Sequence, residues 1–311
     1  GSNDLRFDVK NSLNRSLGPS SPTQFYAGTL KYTQHVLNLD FNRPVNIGLA
    51  YPATLSYGLE WRGEEFEIAP GEPNSYINGG VLFNGQPTPS GAQVFPGFRP
   101  SDSGTFDRHS SSFYVGLEAD LTDKLSGGIA ARHERYSDFG NTTTGKLSMR
   151  YVFSDAVALR ATASTGFHAP SLQQQYYQTT STNFIGGIPY DLVTFRVTNP
   201  AGIALGAEPL KPEKSRNLSL GLVLTPANGL YLTADAYRIK VTDRISLSEN
   251  LTSTAVRTYL NNNGFPAVAG GRYFTNALDT TTTGIDIVGT YTWKLAASSV
   301  DWTLSYNYNQ T

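Results

Sequence analysis

Residues 156–177 read AVALRATASTGFHAPSLQQQYY, and residues 207–224 read AEPLKPEKSRNLSLGLVL. The outer ends of this stretch alternate with a period of two. Val157, Leu159, Ala161, Ala163, Thr165 and Phe167 carry no charge, whereas Ala158, Arg160, Thr162, Ser164, Gly166 and His168 between them are small, polar or charged. On the return, Leu218, Leu220, Leu222 and Leu224 alternate with Asn217, Ser219, Gly221 and Val223. Successive side chains of a strand point to opposite faces, so each end is a strand with one apolar face. In a soluble protein that face meets a core; in a transmembrane barrel it meets lipid while the polar face lines the lumen.

Composition favours the second setting. Charged residues make up 16% of the 311 residues, well below the usual quarter of a soluble domain, while Tyr 18, Phe 16 and Gly 30 are plentiful. A net charge of -1 gives no electrostatic reason to expect nucleic acid as a partner. Without cysteine there is neither a disulfide framework nor a thiolate metal site. No apolar run approaches the length of a spanning helix, but barrel strands need only about 9–11 residues and hide their signal in alternation. The chain opens GSNDLRFDVK, without the basic start and apolar core of a signal peptide. Gly1-Ser2 is either a cloning scar or the interior of a longer protein. The alternation of Leu5, Phe7 and Val9 favours the interior of a barrel.

The connections support a barrel as well. Turns near 44–52, 122–124, 154–155, 226–229 and 296–300 are mostly short. Between them lie 12–24, 70–108, 139–144, 169–212 and 244–280, most of them long. Short periplasmic turns alternating with longer extracellular loops are the wiring of an outer-membrane barrel, whereas a soluble sandwich would distribute long loops over both ends. Ala53, Leu55, Tyr57, Leu59 and Trp61 form the cleanest lipid-facing row, with Trp61 at its interfacial end. Arg238 falls in the apolar register of its strand, which predicts a bulge or a snorkelling side chain there. The expected fold is all-β: a partial, antiparallel, up-and-down transmembrane β-barrel of about eleven strands.

The motifs Thr165-Gly166-Phe167-His168-Ala169-Pro170-Ser171-Leu172, Leu210-Lys211-Pro212-Glu213-Lys214-Ser215 and Leu218-Ser219-Leu220-Gly221 resemble, in order and spacing, the barrel signature of TonB-dependent outer-membrane receptors. Tyr237–Ile245, Asn276 and Gly284-Ile285-Asp286-Ile287 extend the resemblance over most of the chain. His168 stands where that family usually has Arg, and Asp286 where it usually has Glu. The resemblance implies that residues 1–311 are the middle of a barrel of about 22 strands, located in the bacterial outer membrane, with the plug domain, TonB box and closing strands outside this chain. It also implies uptake of a scarce solute, an iron–siderophore complex or an oligosaccharide. The solute would bind at extracellular loops and plug, with the TonB–ExbB–ExbD complex supplying energy through that plug. No cofactor is implied, and the ligand itself stays open among iron chelate, oligosaccharide and cobalamin-like molecules. A passive porin-like channel, an outer-membrane enzyme and a soluble β protein are the alternatives.

No catalytic or metal constellation stands out. His35, His109, His133 and His168 lack metal-ligand spacing, and Ser171 sits outside any nucleophile elbow. Pro100–Asp107 reads as solvated loop, and His168 as a strand end hydrogen-bonded to the loop above it. Loops 70–108, 169–212 and 244–280 are expected to bind ligand and move as a lid. Deleting 169–212 is expected to abolish uptake while sparing barrel insertion. The loop aromatics Tyr76, Phe83, Phe95, Phe98, Tyr176, Tyr177, Phe184, Tyr190 and Tyr259 either pack their own loops or stack on ligand. Gln173, Gln174 and Gln175 with Tyr176 and Tyr177 offer amides and rings for a sugar or a siderophore. Arg99, Arg196 and Arg257 either meet anionic groups of the ligand or bridge loops. Of these, Tyr76, Phe95, Arg99, Gln173, Gln174, Gln175, Tyr176, Tyr177, Arg196, Arg257 and Tyr259, with His168, form the candidate site.

Overall fold

The computed structural model describes residues 1–185, 188–265 and 268–311, and side chains outside 182–191. Phe184 and Tyr190 therefore lie outside the described side chains. β1 (Ser2–Lys10) leads through a 3-10 turn to the long β2 (Gln24–Val45), and β3 (Ala53–Pro70) returns. The next loop holds a two-residue-per-arm hairpin, β4 (Leu82–Phe83) and β5 (Gln86–Pro87). β6 (Gly104–Asp120), β7 (Leu125–Tyr136), β8 (Gly140–Ser154) and β9 (Val157–His168) follow with tight connections. Beyond β9 come α1 (Leu172–Tyr176), β10 (Thr179–Ile185), β11 (Ile188–Phe195) and α2 (Pro200–Ala204). The chain finishes with β12 (Glu213–Ala227), β13 (Leu230–Leu247), α3 (Thr254–Asn262), β14 (Gly271–Lys294) and β15 (Ser299–Gln310).

Among the described residues, β1, β2, β3, β6, β7, β8, β9, β12, β13, β14 and β15 pair in that order, each antiparallel to the next. This is an open arc of barrel wall with β1 and β15 at its edges. The β10–β11 hairpin joins the same sheet because Val193–Phe195 lie parallel to Gly271–Tyr273 of β14.

Several local expectations change. Only residues 137–139 separate β7 from β8, because Asn141–Thr144 continue the ladder opposite Arg132–Arg135. The loop 169–212 carries helices and a hairpin of its own. The β12–β13 ladder runs unbroken through Arg238; the irregularity comes later, between Val241 and Arg244 of the β13–β14 ladder, where Asp243 takes φ 58°.

The two faces differ as the alternation requires. On β3, Leu55, Tyr57, Leu59 and Trp61 point to one side and are followed there by Gly63, Glu65 and Glu67. The same side of β2 carries Phe41, Leu39 and Leu37, then His35 and Thr33. β12 carries Leu224 to Leu218, then Arg216 and Lys214. Each apolar row gives way on the same side to polar and charged residues, and such a band on otherwise water-soluble strands marks the hydrocarbon zone. The opposite side holds the charges: Arg160 with Asp235, Arg62 with Glu60, and Arg132 with Glu60 and Glu134. That is the lumen face.

Above the band the alternation keeps its phase but changes its meaning. Phe66, Ile68, Leu30 and Tyr32 project to the lumen side and are covered there by loop residues Phe98 and Leu172. Phe7 of β1 joins them, stacked on Phe95 with ring centroids 4.8 Å apart. A second cluster, Phe195, Ala201 and Leu260, packs α2 and α3 against the start of β14. Both cores sit at the mouth, where the loops fold inward onto the wall.

Candidate ligand-binding site

The candidate residues are positioned from the wall upward. Gly28 lies in β2 at φ 114°, beside the register shift between Phe7 and Asp8 of β1. A Cβ there would come within 2.8 Å of the Phe98 ring, so the glycine leaves room for the loop to seat. Phe98 then pairs like a short strand: its N–H donates to Ala27 and its carbonyl accepts from Gly71, both at 2.9 Å. Phe95 follows into the same aromatic group, edge-on to Phe98 at 5.6 Å.

On the other side of this core, Ser171 caps α1 and exchanges side-chain bonds with Gln174 in a capping box. Gln174 is therefore spent on the helix start. Gln175 is buried, donating to Asp138 at 2.9 Å. Tyr176 lies flat on Phe106 of β6, centroids 4.3 Å apart, and Tyr177 meets Phe98 edge-on. Burial pushes the phenols of Tyr176 and Tyr177 above their ordinary pKa. Gln173 stays half-buried.

Two polar hubs tie the loops down. Arg108 of β6 donates to Glu64 at 2.6 and 2.9 Å, to the Pro170 carbonyl at 2.6 Å and to Asp138 at 3.4 Å. Glu64 in turn accepts from the Tyr32 hydroxyl at 2.6 Å. Arg108 and Glu64 expose only 4% and 8% of their side chains, so this pair holds charge out of water and needs every partner it has. Asp102 is the second hub. It is buried, where its segment reads as solvated in sequence, because it accepts from the Arg99 N–H and from Gln178 while Arg196 donates to its carbonyl at 2.8 Å. Arg196 also lies 5.1 Å over the Phe106 ring, and burial draws its pKa down against the pull of Asp102.

The structure therefore brings Phe95, Arg99, Gln173, Gln174, Gln175, Tyr176, Tyr177 and Arg196 into one assembly around Phe98, Phe106 and Asp102. Tyr76 is half-buried in the adjoining loop, after the 3-10 turn Pro73–Ser75. Arg257 and Tyr259 lie apart on α3; Tyr259 is 48% exposed and Arg257 donates to Thr254 at 3.2 Å. His168 sits at the end of β9, its ring 3.9 Å from the Glu213 carboxylate on β12, and among the described residues it makes no hydrogen bond to the loop. The hubs Arg108, Glu64 and Asp102 are not picked out by sequence reasoning, because each takes its partners from segments far along the chain. For Arg108 and Glu64 the signal is charge on the lumen side of strands that carry Phe106 and Phe66 there; Asp102 lies in the loop before β6. Among the described residues, no group of three His, Cys, Asp or Glu side chains is placed to hold a metal.

The model of the TonB-dependent receptor-like β-barrel matches residues 1–311. Solved structures agree on the fold. A siderophore receptor, PirA from Pseudomonas aeruginosa, is 17% identical with TM-score 0.60, the match covering 92% of this chain and 45% of that one. A mutant of the ferric enterobactin receptor PfeA from Pseudomonas aeruginosa, in complex with enterobactin, is 18% identical with TM-score 0.64, covering 100% and 40%. The RagAB peptide importer is 12% identical with TM-score 0.55, covering 92% and 30%. This chain thus spans less than half of the solved receptors it matches. No curated protein matches.

Proposed function

The chain belongs to the TonB-dependent receptor β-barrel family, and from that premise we propose that it forms part of an outer-membrane receptor for energised uptake of a scarce solute. The solute class is an iron chelate or an oligosaccharide, taken up with energy from TonB. One observation carries this: the long loops close inward over the lumen wall instead of standing clear of it. Phe98 and Leu172 are buried on Phe66 and Ile68, and Arg108 holds Pro170. Inward-folded loops suit a receptor, because a solute held by them is already over the passage it must enter.

Within that mouth, the rings and amides that pack the loops are distinct from those left open to solute. Tyr259 and His168 are exposed and Gln173 is half-buried, so these are the residues that would meet ligand directly. Phe95, Gln174, Gln175, Tyr176 and Tyr177 would shape the site by holding the loop.

The test is uptake and growth of a strain lacking the full-length gene, on a panel of iron chelates and glycans, with complementation by wild type and by Tyr259→Ala. Loss on one class, restored by wild type and weakened by Tyr259→Ala, is expected. Diffusive, unsaturable entry that persists without TonB would replace this reading with a porin.

A further inference from the structure

A line of polar contacts runs up the lumen face of β3, β6 and β7 and ends at the loop 169–212. At its lower end the Glu60 carboxylate meets Arg62 at 2.9 Å and Arg132 at 3.1 Å. Arg132 also donates to Glu134 at 2.7 Å, and Glu134 accepts from the Tyr136 hydroxyl at 3.2 Å. The Tyr136 ring then meets the Arg108 guanidinium, with 5.4 Å from its centroid to Cζ. Arg108 is the group that holds the Pro170 carbonyl. Arg132, Glu134 and Tyr136 follow one another because alternate residues of β7 share a face.

Burial along this line is uneven. Its upper end is sealed, since Tyr136, Arg108 and Pro170 are all buried. Its lower end opens to the lumen, where Arg132 and Arg62 keep 29% and 34% of their side chains accessible. Glu134 lies between, with only 10% of its side chain exposed, so its charge depends on Arg132 more than on water. Among the described residues Arg132 is its one ion-pair partner. Ser112 stands directly opposite Glu134, yet its buried hydroxyl has no partner among the described residues and does nothing to relieve that dependence. The other cations acting on Tyr136 are Arg62 and Arg108.

We propose that Arg132 is a positioning residue for the mouth: by neutralising Glu134 it leaves Arg108 free to hold Pro170, so the loop 169–212 is latched from inside the passage. Drawing Arg132 away leaves an uncompensated, nearly buried carboxylate against Tyr136. That carboxylate turns to Arg108, and the hold on Pro170 slackens. The loop end of the line is closed to water, so whatever acts on it from the lumen acts at Arg132. Arg160 with Asp235 is the natural comparison: it is a lumen-side ion pair of the same kind, and among the described residues no contact leads from it to the loop. The inference concerns the wall and the loop, and holds whatever the solute is.

The test is limited proteolysis of the full-length protein in nonionic detergent, with cleavage inside 169–212 followed against time. Cleavage of a segment that opens and recloses quickly tracks the population of its open form. Arg132→Gln is expected to raise that cleavage roughly fivefold or more, within the range of coupling inside one side-chain network. Arg132→Gln/Glu134→Gln should return it to within about twofold of wild type, because no buried charge is then left to compensate. Arg160→Gln should leave it at the wild-type rate. A role in general stability predicts the opposite order, with the double variant cleaved at least as fast as Arg132→Gln. That order, wild-type cleavage in Arg132→Gln, or equal loosening by Arg160→Gln would overturn the proposal. Heat-modifiable gel migration shows whether each barrel is folded. If Arg132→Gln is not, Arg132→Lys takes its place, since a lysine cannot serve Glu60 and Glu134 together as the guanidinium does. It should loosen the loop and be rescued by Glu134→Gln; no loosening, or no rescue, overturns the proposal equally.

Discussion

Arg160 of β9 and Asp235 of β13 bond to each other at 2.6 and 3.0 Å across the bare Cα of Gly221, the β12 residue that faces both. A Cβ on Gly221 would meet Asp235 Oδ1 and Arg160 Nε. Gly221→Ala is therefore expected to break the ion pair, since two flexible side chains yield before a backbone does. Arg160 is 48% exposed, so the loss is about 1 kcal/mol or less. The sharper expectation is that Gly221→Ala and Arg160→Gln do not add, because either removes the same contact. Thermal midpoints of heat-modifiable gel migration for the single and double variants measure this; full additivity would refute the shared contact.

Arg108→Ala removes the donor from Glu64, Asp138 and the Pro170 carbonyl at once. Leaving Glu64 buried and unpaired costs about 3–5 kcal/mol. The loop should pay more than the barrel, because Pro170 is the first fixed point beyond β9. Limited proteolysis is expected to cut within 169–212 many times faster in the variant, with the barrel fragment intact. Unchanged cleavage would mean that the other ties, the Tyr176 stack on Phe106 and the Asp102 hub among them, hold the loop without Arg108.

Asn276 of β14 works at the other end of the same loop. Its amide accepts from the Lys211 N–H and donates to the Lys211 carbonyl, both at 2.9 Å, and donates to the Asp243 carbonyl. It imitates a strand neighbour where β12 has not yet begun and β13 is bulged. Asn276→Ala should cost about 1–3 kcal/mol through orphaned backbone groups. Hydrogen exchange is expected to rise at Lys211 and around Asp243 and to stay unchanged at Phe98.

Tyr177 gives the mouth a pH dependence. Burial raises its folded pKa, with Thr179 and Arg272 opposing. A raised folded pKa means stability present below the ordinary tyrosine value of about 10 and lost as pH rises through the folded value. Loop protection from protease should therefore fall in alkali for wild type and persist to higher pH in Tyr177→Phe. Identical profiles would assign the alkaline limit to another group.

Much of the wall was legible because period two survives any lateral context. Leu218 to Leu224 against Asn217 to Val223 is one pattern whether the chain is read or folded. The motif Gly284-Ile285-Asp286-Ile287 also reads through: the isoleucines face out, Asp286 is bound by Asn307, and Gly284 lies under the Tyr237 ring. The mouth was legible only as composition. Leu5 and Phe7 alternate like lipid-facing residues, yet Phe7 is covered by a loop some ninety residues away, and periodicity cannot distinguish the two apolar partners. Asp102 looked solvated because its partners Gln178 and Arg196 are remote in sequence. The one-turn connection at 137–139 was missed because Gly140–Thr144 are as polar as a loop but paired as a strand.

The segment between β9 and β12 leaves the wall at its middle, yet it is fastened to both flanks. On one side Leu172 and Tyr176 hold to β3 and β6, and on the other β11 pairs with β14 while Lys211 meets Asn276. It is a chord drawn across an arc, and a chord sets the arc's radius. The aperture of the mouth is thus a property of this segment as much as of the strands. Cutting it out would change the curvature of the wall as well as the surface offered to solute, so a deletion is a mechanical experiment before it is a binding experiment.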